Sequence, residues 1–598
     1  MAFGIKVENE YLDLYPSSTL SFQFNSELWV TGDPSFTDGS FSFPIDVPLS
    51  PKNMRILRYS HRIENYDTMP VIEDVVVYVG EGMSIGMPFF SGTMYVKKSS
   101  PDKANIYIVQ KGLNRKKDLK INEVDMGVYN LSAPVSLKAV MDWSTHHPLD
   151  NDFIFFSVKN TSVRDALSVG GDEVDQFGSY YNLIMNGYDS VNNDWKWVVS
   201  ASTEHGKNQM IVPFLRLKPV LKRIVEALGY SMDDQWLTTE ELQCICVFNN
   251  QSINDLGSNY KKTIRYNEHL PTGMTLVEFL KQVCKYSFIG LFVDHTRKVI
   301  SLIPYRDVLK QPHTADWTYA TTDDYDVEQD NLLPSEIGFE KDDTDAYFSK
   351  NFISNLVLLA DGAYVADYWK SGGNVQSHGL IDGYYNVKRN GSVMRYNPAN
   401  INTPGVWTKV THRFGHVNVG GKGSAWLSKV VPLYDDDIGY GIYSLSTMPR
   451  ADISMNIDVL DNDVVHELRS ELTSIRLTIY RGWRTFPVGN GPYPDKVPYA
   501  NNSAYDPANE ANTFEHSLHM YGEKGIYELY GQSWVEFMKR KKIVNRRLRL
   551  TVKDIMMYRE WQKVRIGNMN YFVKAMKVTA TSTGLGMTEC TLVSIPFS

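Results

Sequence analysis

Seven basic residues fall within eleven positions, Lys539-Arg540-Lys541-Lys542 followed by Arg546, Arg547 and Arg549. Cations gathered this closely meet phosphate or an acidic neighbour, so the stretch is a candidate channel-facing or partner-facing cluster. The same residues also suit the end of an amphipathic helix around Trp534 and Met538 that runs into a strand, with the cationic stems lying along apolar surface. His412 and His416 are spaced as two zinc ligands on one helix turn would be. Gly415 and the Val417-Asn418-Val419-Gly420-Gly421 run argue for loop or strand there, where the two rings need not converge. His146-His147-Pro148 reads as a turn, because neighbouring side chains diverge. Asp435-Asp436-Asp437 and the span 323–345, with ten acids against Lys341 alone, offer oxygen ligands for a hard cation. Neither has the spaced-Asp loop with its closing Glu, and both read as solvated acidic surface.

No nucleophile elbow, phosphate-binding loop, dinucleotide fingerprint or His-Glu-x-x-His motif occurs. Abundant Asp and Glu leave a carboxylate pair for glycan cleavage open, but no pair is singled out. No catalytic, cofactor-binding or metal-binding residue is therefore assigned. Cys244, Cys246, Cys284 and Cys590 are too few for a disulfide framework, and the first two alternate across a strand. The chain needs no oxidation to fold.

These residues sit in 598 positions, enough for about four domains. Hydrophobic residues at 43% and charged residues at 22% describe a folded globular chain. A net charge of −8 disfavours gripping long stretches of nucleic acid. Aromatics at 12%, with 36 Tyr, favour sheets. Glu8 and Glu10 interrupt the N-terminus before any signal-peptide core, and no apolar run is long enough to span a membrane. Synthesis in a host cytoplasm is the expectation.

The fold class expected is α+β, mainly β, and multidomain. Residues 1–140 carry short strands, around 20–30, 75–79, 92–96 and 105–109, with a proline-punctuated extended segment at 42–51. Residues 141–212 are loop-rich. Residues 213–312 form a small α+β unit: a helix at 219–228 with Pro219 in its first turn and Gly229 at its end, a helix at 275–286 opened by a Thr275/Glu278 capping box, and a hairpin at 289–303. Residues 313–460 are polar, acidic and loop-rich, an insertion or accessory domain. Residues 461–598 return to strands and close on a hairpin from Val564 to Val578, turning at Gly567. No tandem repeat is visible in the sequence.

Four segments, in this order, resemble tail-tip or baseplate hub proteins of phages and prophages of Bacteroidetes bacteria. They are 41–57 with His61-Arg62-Ile63-Glu64-Asn65; 212–230, from Val212-Pro213-Phe214-Leu215 to Gly229-Tyr230; 270–283, from Leu270-Pro271-Thr272-Gly273 into the following hairpin; and Val564-Arg565-Ile566-Gly567 with Tyr571-Phe572-Val573-Lys574-Ala575-Met576. The resemblance implies a structural virion protein without catalytic residues, in which two tube-like β-barrel domains (1–140 and 461–598) flank the α+β unit. It implies a homotrimer whose six tube-like domains match a sixfold tail tube or distal tail protein on one side and a threefold spike or fibre on the other. Such a hub lines the DNA exit channel and has transient, non-specific contact with phage DNA. Two alternatives stay open: a tail-associated cell-wall or glycan hydrolase, and a receptor-binding protein reading surface sugar with residues 360–460.

Overall fold

The computed structural model describes most of residues 3–159, 211–329 and 475–596, together with 184–188, Trp195 and short strands between 336 and 428. The chain begins with strands β1 (Phe3–Val7), β2 (Glu10–Tyr11), β3 (Leu20–Asn25), β4 (Phe41–Ser42) and β5 (Ile45–Pro48), then helix α1 (Pro51–Ile56). Ser50 caps α1 by accepting a hydrogen bond from the Asn53 N–H, and Pro51 contributes a backbone already set for a helix. Strands β6 (Val71–Val79), β7 (Met87–Ser99) and β8 (Lys103–Val109) follow as an antiparallel meander, and β5 pairs back against β8. Side chains alternate as strand geometry requires: Ala104, Ile106 and Ile108 are buried, while Asn105, Tyr107 and Val109 are half-exposed. The buried set packs with Phe22, Val47, Val75, Val77 and Leu57 as one core. At Gly92 a Cβ would overlap the Val109 carbonyl, so the close approach of β7 and β8 there needs glycine.

The middle of the chain holds α2 (Leu137–His146), β9 (Phe153–Ile154), β10 (Phe214–Arg216), α3 (Leu217–Ala227) and β11 (Ile245–Val247). It continues through α4 (Leu276–Ser287), β12 (Ile289–Asp294), β13 (Val299–Pro304) and α5 (Tyr305–Lys310). α3 buries Leu217, Val220, Leu221, Ile224 and Val225 on one stripe, and Gly229 leaves it at φ 89°. The capping box of Thr275 and Glu278 opens α4. Both stripes enter the largest core, with Phe279, Leu280, Ile289 and Leu302. β12 and β13 form the expected hairpin, and Ser231–Asp234 adds to it in parallel.

The chain returns through β14 (His313–Asp316), β15 (Thr321–Glu328), β16 (Leu477–Thr485), β17 (Lys496–Ala500), α6 (Gln532–Arg540), β18 (Ile543–Leu548), α7 (Val552–Met557), β19 (Lys563–Ile566), β20 (Met569–Ala580) and β21 (Thr588–Ile595). Thr551 caps α7 in a capping box with Asp554. β19, β20 and β21 form an antiparallel meander, and β18 pairs back against β21. Strand, capped six-residue helix, meander, first strand against last: residues 543–595 repeat the plan of residues 45–109. The repeat is one of topology.

The two halves share one sheet. β3 pairs with β20 from Leu20↔Ala580 to Asn25↔Ala575, giving a 14-stranded sheet whose main path runs β2-β1-β6-β7-β8-β4-β3-β20-β21-β18-β15. No sheet among the described residues closes into a barrel. Among the described residues the expected two separate barrels are not seen as closed units, and β3 and β20 pair with each other to join the two halves. Three segments group differently from the sequence-based division. α2 runs across residue 141, β14 and β15 belong to the terminal sheet, and β16 and β17 join β9, β10 and β11 in a central five-stranded sheet. Among the described residues, no helix is long and apolar enough to cross a membrane.

Candidate functional site

The basic stretch starts on α6, whose Trp534, Phe537 and Met538 are buried against α5 and the terminal sheet while Val535 enters the central core. Trp534 stacks on Tyr305 with ring centroids 4.2 Å apart. Lys539 and Arg540 occupy the last turn of α6, where cations oppose the negative end of the helix dipole, and Arg540 pairs with Glu536 at 3.5 Å. Lys541 is the buried, extended residue that ends α6. Lys542 is exposed, and its N–H donates to Ser594 Oγ.

β18 divides the remaining arginines between its two faces. Arg546 donates to the Thr322 carbonyl at 3.0 Å and lies over the Tyr325 ring, its carbon 5.2 Å from the centroid. Arg547 is exposed on the other face, 3.7 Å from Glu589, which also pairs with Lys577. Gln23, Lys577, Glu589 and Arg547 stand in register across β3, β20, β21 and β18, so a polar row crosses the join between the two halves. Arg549 is exposed, and its N–H donates to the Ala320 carbonyl. The seven cations therefore do not form one patch. Lys539, Lys542 and Arg549 point to solvent, Arg540 and Arg547 hold acids, Arg546 holds the β15 backbone, and Lys541 is interior.

The other motifs part in the same way. His412 ends the strand Trp407–His412, while His416 and Asp435-Asp436-Asp437 lie outside the described residues. His146 closes α2 and stacks on Trp483, and His147 turns back toward Asp150. Among the described residues, no three His, Cys, Asp or Glu side chains gather as a metal site.

A titratable cluster that spacing did not suggest sits on the central sheet. Glu241 accepts from Arg481, from His516 Nδ1 at 3.1 Å, and from the N–H groups of Glu515 and His516. Arg481 is buried and covers the Phe514 ring. A cleft of about 510 Å³ opens beside this cluster, lined by His146, Glu240, Trp483 and Arg484 among others. Burial alone would raise the Glu241 carboxyl, but its His516 hydrogen bond and Arg481 hold it below the usual range. An ionised, fully engaged carboxylate of this kind is poorly suited to act as a general acid. Its partners lie more than two hundred residues away in sequence, and no local signal links them.

No family model matches the chain, and no curated protein matches it. Two solved structures are similar along its whole length. The crystal structure of the 43 kDa tail protein of prophage MuSo2 from Shewanella oneidensis shares 6% identity, with 100% of this chain and 98% of that chain covered and a TM-score of 0.30. The crystal structure of the tail protein from Neisseria meningitidis MC58 shares 7% identity, covers 99% and 96%, and has a TM-score of 0.28. At this identity and TM-score, neither likeness carries an argument for the fold or function of this chain.

Proposed function

We propose that the chain is a structural protein of a phage or prophage tail, the tail-tip or baseplate hub that joins a sixfold tube to a threefold tip. The observation that carries this reading is the repeated topology of residues 45–109 and 543–595 within one continuous sheet. Two like units per chain give three chains a pseudo-sixfold ring, the geometry an adaptor between sixfold and threefold partners requires. The hub resemblance of the four ordered sequence segments supports the same assignment. In this reading each half of the sheet is a tube-like domain, and barrel-like closure arises between chains. Lys539, Lys542 and Arg549 are the cations free to face a partner or passing DNA. Immunogold labelling of tailed particles released by cells carrying the gene tests the assignment. Label is expected at the distal tail end, and particles labelled elsewhere or not at all contradict it.

A further inference from the structure

We propose that the outer edge of β15 is a docking site for a β-strand of a different protein, one in which apolar and basic residues alternate. β15 ends the main path of the 14-stranded sheet, and no other described strand pairs with its outer side. The N–H and C=O groups along such an edge are a template for a further strand.

Side chains on the two faces of β15 define what that strand carries. Two rows on one face of the sheet run into β15: Val573, Leu592, Val544 and Val327 stand in register and are apolar throughout, and Met576, Cys590, Arg546 and Tyr325 stand in register with Arg546 lying over the Tyr325 ring. Val573, Leu592 and Val544 are 2%, 0% and 6% exposed, whereas Val327 and Tyr325 are 51% and 58% exposed. The apolar row thus continues onto the last strand, where Val327 and Tyr325 are largely exposed. On the opposite face of β15 stand Asp326 and Glu328, both exposed, and Glu328 accepts from Asn545 Nδ2 at 3.3 Å. Asp324 is exposed beside them. A next strand in register meets apolar side chains on one face and carboxylates on the other, and like charges placed opposite them are unfavourable.

The two ends of the main path in a second copy of this chain do not meet these requirements. Two β15 edges paired together set acid against acid. The other end of the main path is β2, two residues long, with Glu10 exposed and already held by Arg55. Edge acids also repel stray strands, which accounts for the charge. It does not account for the exposed Tyr325 and Val327 on the face opposite the acids. The inference goes beyond the hub reading and stands whether or not the chain sits at a tail tip.

The test uses the full-length chain and three fluorescent peptides of equal length: alternating Lys and Val, the same residues in two blocks, and alternating Glu and Val. The alternating Lys-Val peptide is expected to bind about tenfold tighter than the block peptide. The double variant Asp326→Lys/Glu328→Lys is expected to lose about that factor and to bind the Glu-Val peptide instead. Hydrogen exchange of the wild-type chain should slow within 321–328 when the Lys-Val peptide is present. Equal binding of alternating and block peptides, an affinity unmoved by the double reversal, or protection only outside β15 would each overturn the proposal.

Discussion

Glu241 and Arg481 make the clearest residue-scale case, because each is held by the other at the interior side of the cleft. Removing one charge from a buried pair leaves its partner desolvated, at a cost of about 3 kcal/mol. Glu241→Gln should therefore lower the stability read by urea unfolding at pH 7 by that order. The pH dependence follows from the direction of the shift. A carboxyl held below its ordinary value in the fold contributes stability above that ordinary value and loses it as pH falls through the lowered one. The gap between wild type and Glu241→Gln is thus expected to be widest near neutral pH and to shrink on acidification, and a gap independent of pH would contradict the assignment. The cysteines give a second check. All four are buried, and burial pushes the Cys244 thiol up to about 11. A thiol reagent at pH 8 should label none in the native chain and all four in denaturant. Within the basic stretch, Arg546→Gln loses the Thr322 and Tyr325 contacts and should cost about 1 kcal/mol, whereas Lys542→Gln should change stability by less than about 0.5 kcal/mol.

Among the elements, the two capped helices α1 and α7 occupy equivalent places in the repeated plan, yet their caps differ. Thr551 accepts from the Asp554 N–H and bonds the Asp554 carboxylate, while Ser50 caps Asn53 and also donates to Asp13, which Lys52 holds as well. Thr551→Ala should cost about 1 kcal/mol, and Ser50→Ala more, since it also releases the 10–15 segment that α1 covers. Thermal unfolding of the two variants checks this order. The elements that were readable in the sequence were those whose partners are local. The Thr275/Glu278 box with the stripe of Leu276, Phe279, Leu280 and Val283 marks α4 to within a residue, and Gly567 at φ 61° turns β19 into β20 where expected. α2 escaped because its apolar stripe is weak: Trp143 on one side is exposed and Ser144 and Thr145 are buried. The basic run is readable as the end of an amphipathic helix passing into a strand, as α6 and β18 are, but linear spacing does not show that the strand sends Arg546 and Arg547 to opposite faces.

At the scale of the whole molecule, what the sequence concealed is pairing between its ends. Ser21 Oγ and Thr579 Oγ1 lie 2.9 Å apart across 558 positions, and nothing in either strand names the other. The topological repeat is hidden for the same reason, since β5 against β8 and β18 against β21 share a plan and not residues. Joining the halves through β3 and β20 places two like units in one sheet, the arrangement that the proposed three-chain, pseudo-sixfold ring requires. Phe22, fully buried at that join against Phe89 and Phe90, should cost about 3–5 kcal/mol when replaced by Ala and should weaken assembly with it. The most direct test of the hub assignment is the mass of the purified chain by light scattering, taken from about 1 to 100 µM, where obligate subunit contacts saturate. A species of three times 68.2 kDa is the predicted result, and a monomer or dimer persisting to the top of that range contradicts it.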